Sequence, residues 1–160
     1  MDAITMQSTN LLINQLKEDY PSFHFQATTE FLWSADRQTI HIDPTVDNCN
    51  EFILHELSHA LLNHEGYRRD IDLIKLERDA WEYAKTHLSA TYNQSIDEEM
   101  IQDNLDTYRE WLHARSKCPD CEATGLQTKA QNYLCLFCNN SWRVNEARLC
   151  ALRRYTLATK

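Results

Sequence analysis

The chain has 160 residues, 42% of them hydrophobic and 25% charged, and only two glycines, which excludes the glycine-rich phosphate loops of P-loop and Rossmann sites. Its formal charge of −8 is unevenly divided: residues 1–114 hold 8 basic and 21 acidic side chains, whereas residues 115–160 hold 8 basic and 3 acidic ones. We therefore expect an acidic body, able to bury one sizeable core, and a basic tail that can contact nucleic acid or an acidic partner.

Nothing in the sequence indicates a membrane or secretory segment. Its apolar runs fall far short of the roughly 20 residues that cross a bilayer, and no secretory signal precedes the first helix. Six cysteines in such a chain favour metal binding over a disulfide framework. We expect a cytoplasmic protein without a membrane partner.

Hydrophobic periodicity predicts helices and short strands over the first 115 residues. Apolar positions at helical spacing indicate amphipathic helices, and short alternating stretches indicate a small three-stranded sheet. Candidate capping boxes, Asn48 with Glu51 and Ser95 with Glu98, mark the starts of two helices. The predicted elements are, in chain order, a helix over 4–17, strands over 23–27, 30–34 and 39–42, and helices over 48–63, 70–88 and 95–114.

The helix predicted over 48–63 contains the sequence His55-Glu56-Leu57-Ser58-His59 between apolar triplets. Residues four apart share a helix face, so His55 and His59 can bind one Zn²⁺, while Glu56 lies within reach of a metal-bound water. Burying two histidines and a glutamate in an apolar helix costs free energy unless a ligand or buried partners satisfy their polar groups. The pattern predicts a catalytic zinc with Glu56 as general base.

A catalytic zinc needs a third protein ligand and one open position. Glu77, 18 residues after the second histidine, falls into an apolar stripe with Ala80 and Ala84, whose small side chains allow close helix approach. Asp79 is a rival, although its shorter side chain is rotated about 200° from Glu77. His64 is the third candidate, but its place at the helix end also suits interaction with the helix dipole.

The second chemical motif is a pair of Cys-x-x-Cys sequences. Cys118, Cys121, Cys135 and Cys138 flank a predicted hairpin with strands over 126–128 and 132–134. Four thiolates in two knuckles can close a tetrahedral structural zinc site, so the spacing predicts a zinc ribbon. We place a domain boundary at Ser116, which gives a domain over 1–115 and a ribbon with a short basic tail over 116–160.

The basic tail offers candidate contacts to nucleic acid, with a short helix expected over 145–157. Arginines could meet phosphates and aromatic rings could stack on bases. Alternatively, the rings cover the small ribbon core and the arginines are solvated. The side chains concerned are Arg143, Arg148, Arg153, Arg154, Tyr133, Phe137 and Trp142.

The stretch 40–84, with the HExxH helix and the following Leu76-Glu77-Arg78-Asp79-Ala80-Trp81 segment, resembles the ImmA/IrrE family of zinc metallopeptidases over about the first 115 residues. The resemblance implies a compact gluzincin-like α+β body, with His55, His59 and Glu77 as zinc ligands and Glu56 as base. It also implies cleavage of a DNA-binding transcriptional repressor of a phage or mobile element. Asp79 replaces the second glutamate of many relatives, which leaves the identity of the acidic ligand open.

Two other interpretations fit the same motifs. An HExxH helix followed by a zinc ribbon also resembles SprT-like proteases, which act on DNA-associated protein, although the spacing after His59 suits that family less well. The chain could instead be a non-catalytic adaptor for DNA or protein, with only structural zinc. For a peptidase, the strand over 39–42 is expected to pair with an extended peptide substrate.

Overall fold

The computed structural model describes residues 3–157 and has the mixed α+β architecture that the sequence predicts. Over this range it contains four α-helices, a three-stranded sheet and a four-stranded sheet. None of these helices is long and apolar enough to cross a membrane. The elements are α1 Ala3–Asp19, β1 His24–Ala27, β2 Leu32–Ser34, β3 Thr39–Ile42, α2 Cys49–Leu61, α3 Asp70–Tyr83, a π-helical turn Ala84–Leu88, α4 Glu98–Ser116, β4 Leu126–Lys129, β5 Asn132–Leu134, β6 Ser141–Val144 and β7 Arg154–Thr156.

The chain divides into two compact units. The first combines Met1–Glu65 with Leu76–Ile101, and the second combines Gly66–Lys75 with Gln102–Lys160. Two of the crossings between the units fall inside helices α3 and α4. The domain boundary predicted at 115/116 means that the parts on each side of it fold independently. Compact units do not test independent folding, so the boundary stays a prediction.

The sheet of the first unit has the order β1-β3-β2. Strand β3 pairs in parallel with β1 and antiparallel with β2, and Ile40 and Ile42 on it are buried. Because both edges of β3 are already paired, the expectation that this strand receives a substrate peptide is wrong. Strand β2 is the free edge that lies next to α2 among the described residues.

Helix α2 is the central helix of the first unit. It contacts α1, β2, β3 and the π-helical turn, and every residue from Ile53 to Ala60 is buried. A helix enclosed on all sides needs apolar residues all round, as the triplets before and after the HExxH sequence provide. Asn48 lies at its N-terminus with a left-handed backbone (φ 58°) and no capping bond from its side chain. The predicted capping box there is therefore wrong.

The predicted helix over 70–88 forms as α3 followed by one π-helical turn. Helix α4 starts at Glu98, three residues later than predicted. The side chain of Asp97, rather than that of Ser95, accepts a hydrogen bond from the Glu99 amide at 3.2 Å. Asp97 thus caps the helix, since a carboxylate satisfies a free N–H of the first turn.

The second unit is built on the antiparallel sheet β4-β5-β6-β7. The stacked rings of Tyr133 and Trp142 lie at its core with Val144, Cys118 and Cys135. The predicted hairpin is confirmed as β4 and β5. The predicted helix over 145–157 is wrong, because β7 adds an edge strand to β6 there.

A buried polar cluster lies in the same unit around Asp70. The Asp70 carboxylate accepts hydrogen bonds from Arg115, Tyr133 and Gln127. The Gln127 side chain in turn accepts one from the backbone amide of Asp70 at 2.8 Å. Arg115 also donates to the backbone carbonyls of Asn145 and Glu146. The cluster is almost fully hydrogen-bonded, which is the condition under which buried charges are tolerated.

Candidate metal centres

Three side-chain atoms converge in the first unit. His55 and His59 lie one turn apart on α2, and Glu77 comes from α3. The His55 Nε2 atom lies 3.1 Å from Glu77 Oε2 and 3.2 Å from His59 Nε2, and His59 Nε2 lies 3.6 Å from Glu77 Oε2. All three residues are buried.

The chemistry and spacing of these atoms suit Zn²⁺. Ligands that bind zinc tetrahedrally at 2.0–2.1 Å are separated from each other by about 3.3 Å, close to the three distances observed. Two imidazole nitrogens and one carboxylate oxygen form a donor set typical of catalytic zinc, with one position left for water or substrate. The residues present therefore fit the metal that the HExxH sequence predicts.

The structure separates the three candidates for the acidic or third ligand. Glu77 lies in the cluster, as the apolar stripe on its helix predicts. Asp79 is instead paired with Arg78 at 2.7 Å on the exposed side of α3. His64 approaches the opposite nitrogen of His59, with 2.9 Å between the two Nδ1 atoms, so it contacts one member of the cluster without facing the centre of the cluster.

The protonation states of His55 and Glu77 favour metal binding, whereas at His59 the hydrogen bond with Glu77 and the charge of that carboxylate outweigh burial and raise the pKa. Burial lowers the pKa of His55 to about 4. Although burial opposes ionisation of Glu77, hydrogen bonds with His55 and His59 hold the pKa of that carboxyl well below its usual range. A neutral imidazole and an ionised carboxylate are the forms that bind zinc.

Trp81 packs against His55. Its indole stacks on the His55 imidazole, with ring centroids 4.1 Å apart and planes 22° from parallel. The Phe52 ring packs edge-on against the same indole, with 5.5 Å between the centroids. Trp81 follows Glu77 by four residues, so the helical period places both on one face of α3; this spacing was available in the sequence and the prediction missed it.

Glu56 lies beside the cluster and is 8% exposed. Burial raises the pKa of its carboxyl to about 7, partly offset by the charge of His59 and by a hydrogen bond from the backbone of Trp33. A buried carboxylate with a pKa near neutrality can take up and release a proton readily. Trp33 belongs to β2, and no sequence motif marks it as a neighbour of the site.

The second cluster brings together Cys118, Cys121, Cys135 and Cys138. The Sγ atoms of Cys118 and Cys138 are 3.6 Å apart, and those of Cys121 and Cys135 are 3.5 Å apart. These separations exceed a disulfide bond of about 2.05 Å and approach the roughly 3.8 Å between thiolates on one zinc. The four residues thus fit a closed metal site. Of the two remaining cysteines, Cys49 is buried and Cys150 is exposed.

The two Cys-x-x-Cys loops have the same backbone conformation. In the first, the Glu122 amide donates to Cys118 O (3.1 Å) and the Cys118 amide to Ala123 O (2.9 Å). In the second, the corresponding bonds join Asn139 to Cys135 O (2.9 Å) and Cys135 to Asn140 O (2.8 Å). Glu122 and Asn139 both have left-handed backbones, with φ of 62° and 61°. The repeat makes two matched knuckles, each of which presents two thiols.

The residues considered for base stacking are not equivalent. Tyr133 and Trp142 are 2% and 0% exposed, so of the two alternatives these rings follow the one in which they cover the ribbon core, and neither is free to stack on a base. Phe137 is 81% exposed. Two of the arginines already cover tyrosine rings in the same unit: Arg143 lies over Tyr155 and Arg148 over Tyr108.

Comparison of the chain with protein-family models, with curated proteins and with solved structures gives no match. Its function therefore has to be inferred from its own side chains.

Proposed function

We propose that the protein is a zinc-dependent endopeptidase. The observation that carries this proposal is the convergence of His55, His59 and Glu77, with their ligand atoms 3.1–3.6 Å apart, next to the buried carboxyl of Glu56. This donor set and this neighbouring base are the combination that peptide hydrolysis by zinc requires. The resemblance to the ImmA/IrrE family, drawn from the same residues, supports the proposal.

His55, His59 and Glu77 would hold the metal. When bound, Zn²⁺ supplies a Lewis acid that polarises the scissile carbonyl and makes a bound water more acidic. Glu56 accepts a proton from the attacking water at its carboxylate, and the water oxygen forms the new bond to the carbonyl carbon. Glu56 then gives that proton to the leaving amide nitrogen as the C–N bond breaks, so it returns to its ionised form.

The substrate chain is proposed to bind along β2. This strand is the free sheet edge next to α2 among the described residues, and the backbone of its central residue Trp33 lies near enough to Glu56 to lower the pKa of that carboxyl. An extended peptide added to that edge would gain main-chain hydrogen bonds while running past the proposed base. Pairing at β2 replaces the incorrect assignment to β3.

The proposed substrate is a DNA-binding transcriptional regulator, as the family resemblance implies. Residues 115–160 carry 8 basic and 3 acidic side chains, and a zinc ribbon formed by the four-cysteine cluster would present them. Such a surface can approach a DNA-bound partner, whereas the acidic remainder of the chain repels free DNA. A cytoplasmic location, where thiols stay reduced, belongs to the same proposal.

The decisive experiment compares wild type with Glu56→Gln, using a peptide library and the regulators encoded beside this chain's gene as substrates. We expect Glu56→Gln to retain zinc and to lose activity by about 10²–10⁴-fold, the usual contribution of a general base. Asp79→Asn is the matched control, because Asp79 is acidic, lies two residues from Glu77 and is exposed on α3. Cleavage that survives in Glu56→Gln would contradict the mechanism. Zinc binding without any hydrolysis by wild type would favour a non-catalytic adaptor.

A further inference from the structure

Helix α2 ends in a specific backbone motif directly after the second histidine. Asn63 has a left-handed backbone with φ of 54°. The Asn63 amide donates to Ala60 O at 3.1 Å, and the His64 amide donates to His59 O at 2.9 Å. With Leu62 as C-cap, these are the two bonds of a Schellman motif.

The motif brings two side chains together that are five residues apart. In a Schellman motif the second residue after the C-cap contacts the residue three positions before the C-cap. With Leu62 as C-cap, those residues are His64 and His59. Their ring centroids are 5.0 Å apart, and their Nδ1 atoms are 2.9 Å apart. The contact normally made by two apolar side chains is made here by two imidazoles.

The direction of this hydrogen bond follows from the geometry of the metal cluster. His59 Nε2 faces His55 and Glu77 and must be free of a proton to bind metal. Its proton is then on Nδ1, which donates to Nδ1 of His64. His64 is not itself a ligand. Its Nδ1 contacts the His59 ring on the side that faces away from the cluster.

We infer that His64 is a positioning residue, which fixes the ring orientation and the tautomer of the ligand His59. This inference rests on the proposed zinc site. A metal-binding histidine generally donates its second N–H to a fixed acceptor, and loss of that acceptor weakens metal binding. His55 is held differently: its Nδ1 is buried without a hydrogen-bond partner in the described structure, and its ring lies flat on Trp81.

The test measures zinc affinity by competition with a chromophoric chelator, on the full chain, without using peptidase activity. His64→Ala should raise the Kd for zinc at the His55 cluster by about 10–100-fold, while unfolding of the metal-free protein changes little because His64 is only half-buried. His64→Asn should stay within a few-fold of wild type, because its Oδ1 replaces the acceptor on Cγ.

A second pair of variants changes the backbone and leaves both histidines in place. Asn63→Gly keeps the left-handed position and should preserve the zinc Kd. Asn63→Val disfavours that conformation strongly and should weaken binding as His64→Ala does. The cobalt(II) absorption spectrum should change in Asn63→Val and His64→Ala only.

The outcomes separate this inference from the proposed function. If His55→Ala combined with His59→Ala leaves zinc binding at this cluster unchanged, the proposed site itself is wrong. If that double variant loses the metal but His64→Ala binds zinc as tightly as wild type, the positioning role alone is overturned. Equal loss in His64→Ala and His64→Asn would also overturn it, since the acceptor would then be irrelevant.

Discussion

Asp70 and Arg115 form a buried ion pair, in which Arg115 Nε donates to Asp70 Oδ2 at 2.5 Å and both side chains are at most 3% exposed. Removing one partner leaves a buried charge without compensation, which costs about 3–5 kcal/mol. We therefore expect Asp70→Ala to lower the free energy of unfolding by this amount in urea titrations. Asp106→Ala is the control, since its pair with Arg109 in the same unit is exposed and worth about 0–1 kcal/mol. Similar losses in both variants would show that the Asp70 cluster contributes no special stability.

The two glycines should respond differently to alanine. A Cβ on Gly125 would lie 2.3 Å from Trp142 Cη2, in the packed core of the second unit, whereas a Cβ on Gly66 meets nothing within 4 Å. We expect Gly125→Ala to destabilise the protein by about 1–3 kcal/mol through overpacking. Gly66→Ala should be neutral or stabilise it by up to about 1 kcal/mol. Thermal unfolding of the two variants side by side tests this, and a neutral Gly125→Ala would contradict the close packing on Trp142.

The matched cysteine knuckles contain one conformationally costly residue. Glu122 and Asn139 occupy equivalent left-handed positions, but asparagine tolerates that conformation much better than glutamate. Glu122→Asn should stabilise the zinc-loaded protein by about 1 kcal/mol, and Asn139→Glu should destabilise it by a similar amount. The exposed pair of Glu122 with Lys117 contributes little to this balance. Opposite signs in calorimetry are the expected result; matching signs would refute the conformational explanation.

Peptide cleavage should have an acid limb set by Glu56. The base acts only when ionised, and burial raises its pKa from the ordinary value of 4.5 to about 7, while a bound dication lowers it again. The rate should therefore fall as the pH drops through the interval between these two values. A pH profile of kcat/KM for wild type measures the limb. A rate that stays constant throughout this interval would argue against Glu56 as the base.

The two metal clusters should differ in how firmly they hold zinc. We expect two zinc ions per chain, with the four-thiolate cluster binding more tightly, because it is closed, whereas His55, His59 and Glu77 leave one position open. A mild chelator should remove one equivalent together with activity, and a stronger one the second equivalent together with the structure of the cysteine loops. Metal content and circular dichroism follow the two steps. A single zinc that survives loss of both histidines would leave no metal at the proposed catalytic site.

The secondary structure of the first unit could be predicted because each element has a clear period. Helix α2 carries apolar triplets on both sides of the HExxH sequence, and the short strands alternate. The ends of the helices were harder to predict. In the sequence, Asn48 resembles a side-chain cap, yet in the structure it adopts a left-handed backbone and its side chain makes no capping bond. At the start of α4, the capping side chain is that of Asp97 and not that of Ser95, two residues earlier.

The composition of the two candidate metal clusters could also be predicted from the sequence, because fixed spacings on a helix or in a knuckle fix the direction of side chains. Glu77 could be chosen over Asp79 because it interrupts an apolar stripe. The contact between Glu56 and the Trp33 backbone depends on strand pairing and helix packing, which no local pattern encodes. The same reason explains the tail: residues 154–156 form a strand only because β6 offers an edge to pair with.

The stacking of Trp81 on His55 gives this protein a built-in optical probe. An indole 4.1 Å from the imidazole of a proposed ligand is close enough for an open-shell ion on that imidazole to quench its fluorescence, whereas closed-shell zinc would leave the emission largely intact. Titration with copper(II) or cobalt(II) would then report occupancy of this cluster from the emission of Trp81 itself. Trp81→Phe would remove that signal, which would separate it from the emission of the other three tryptophans.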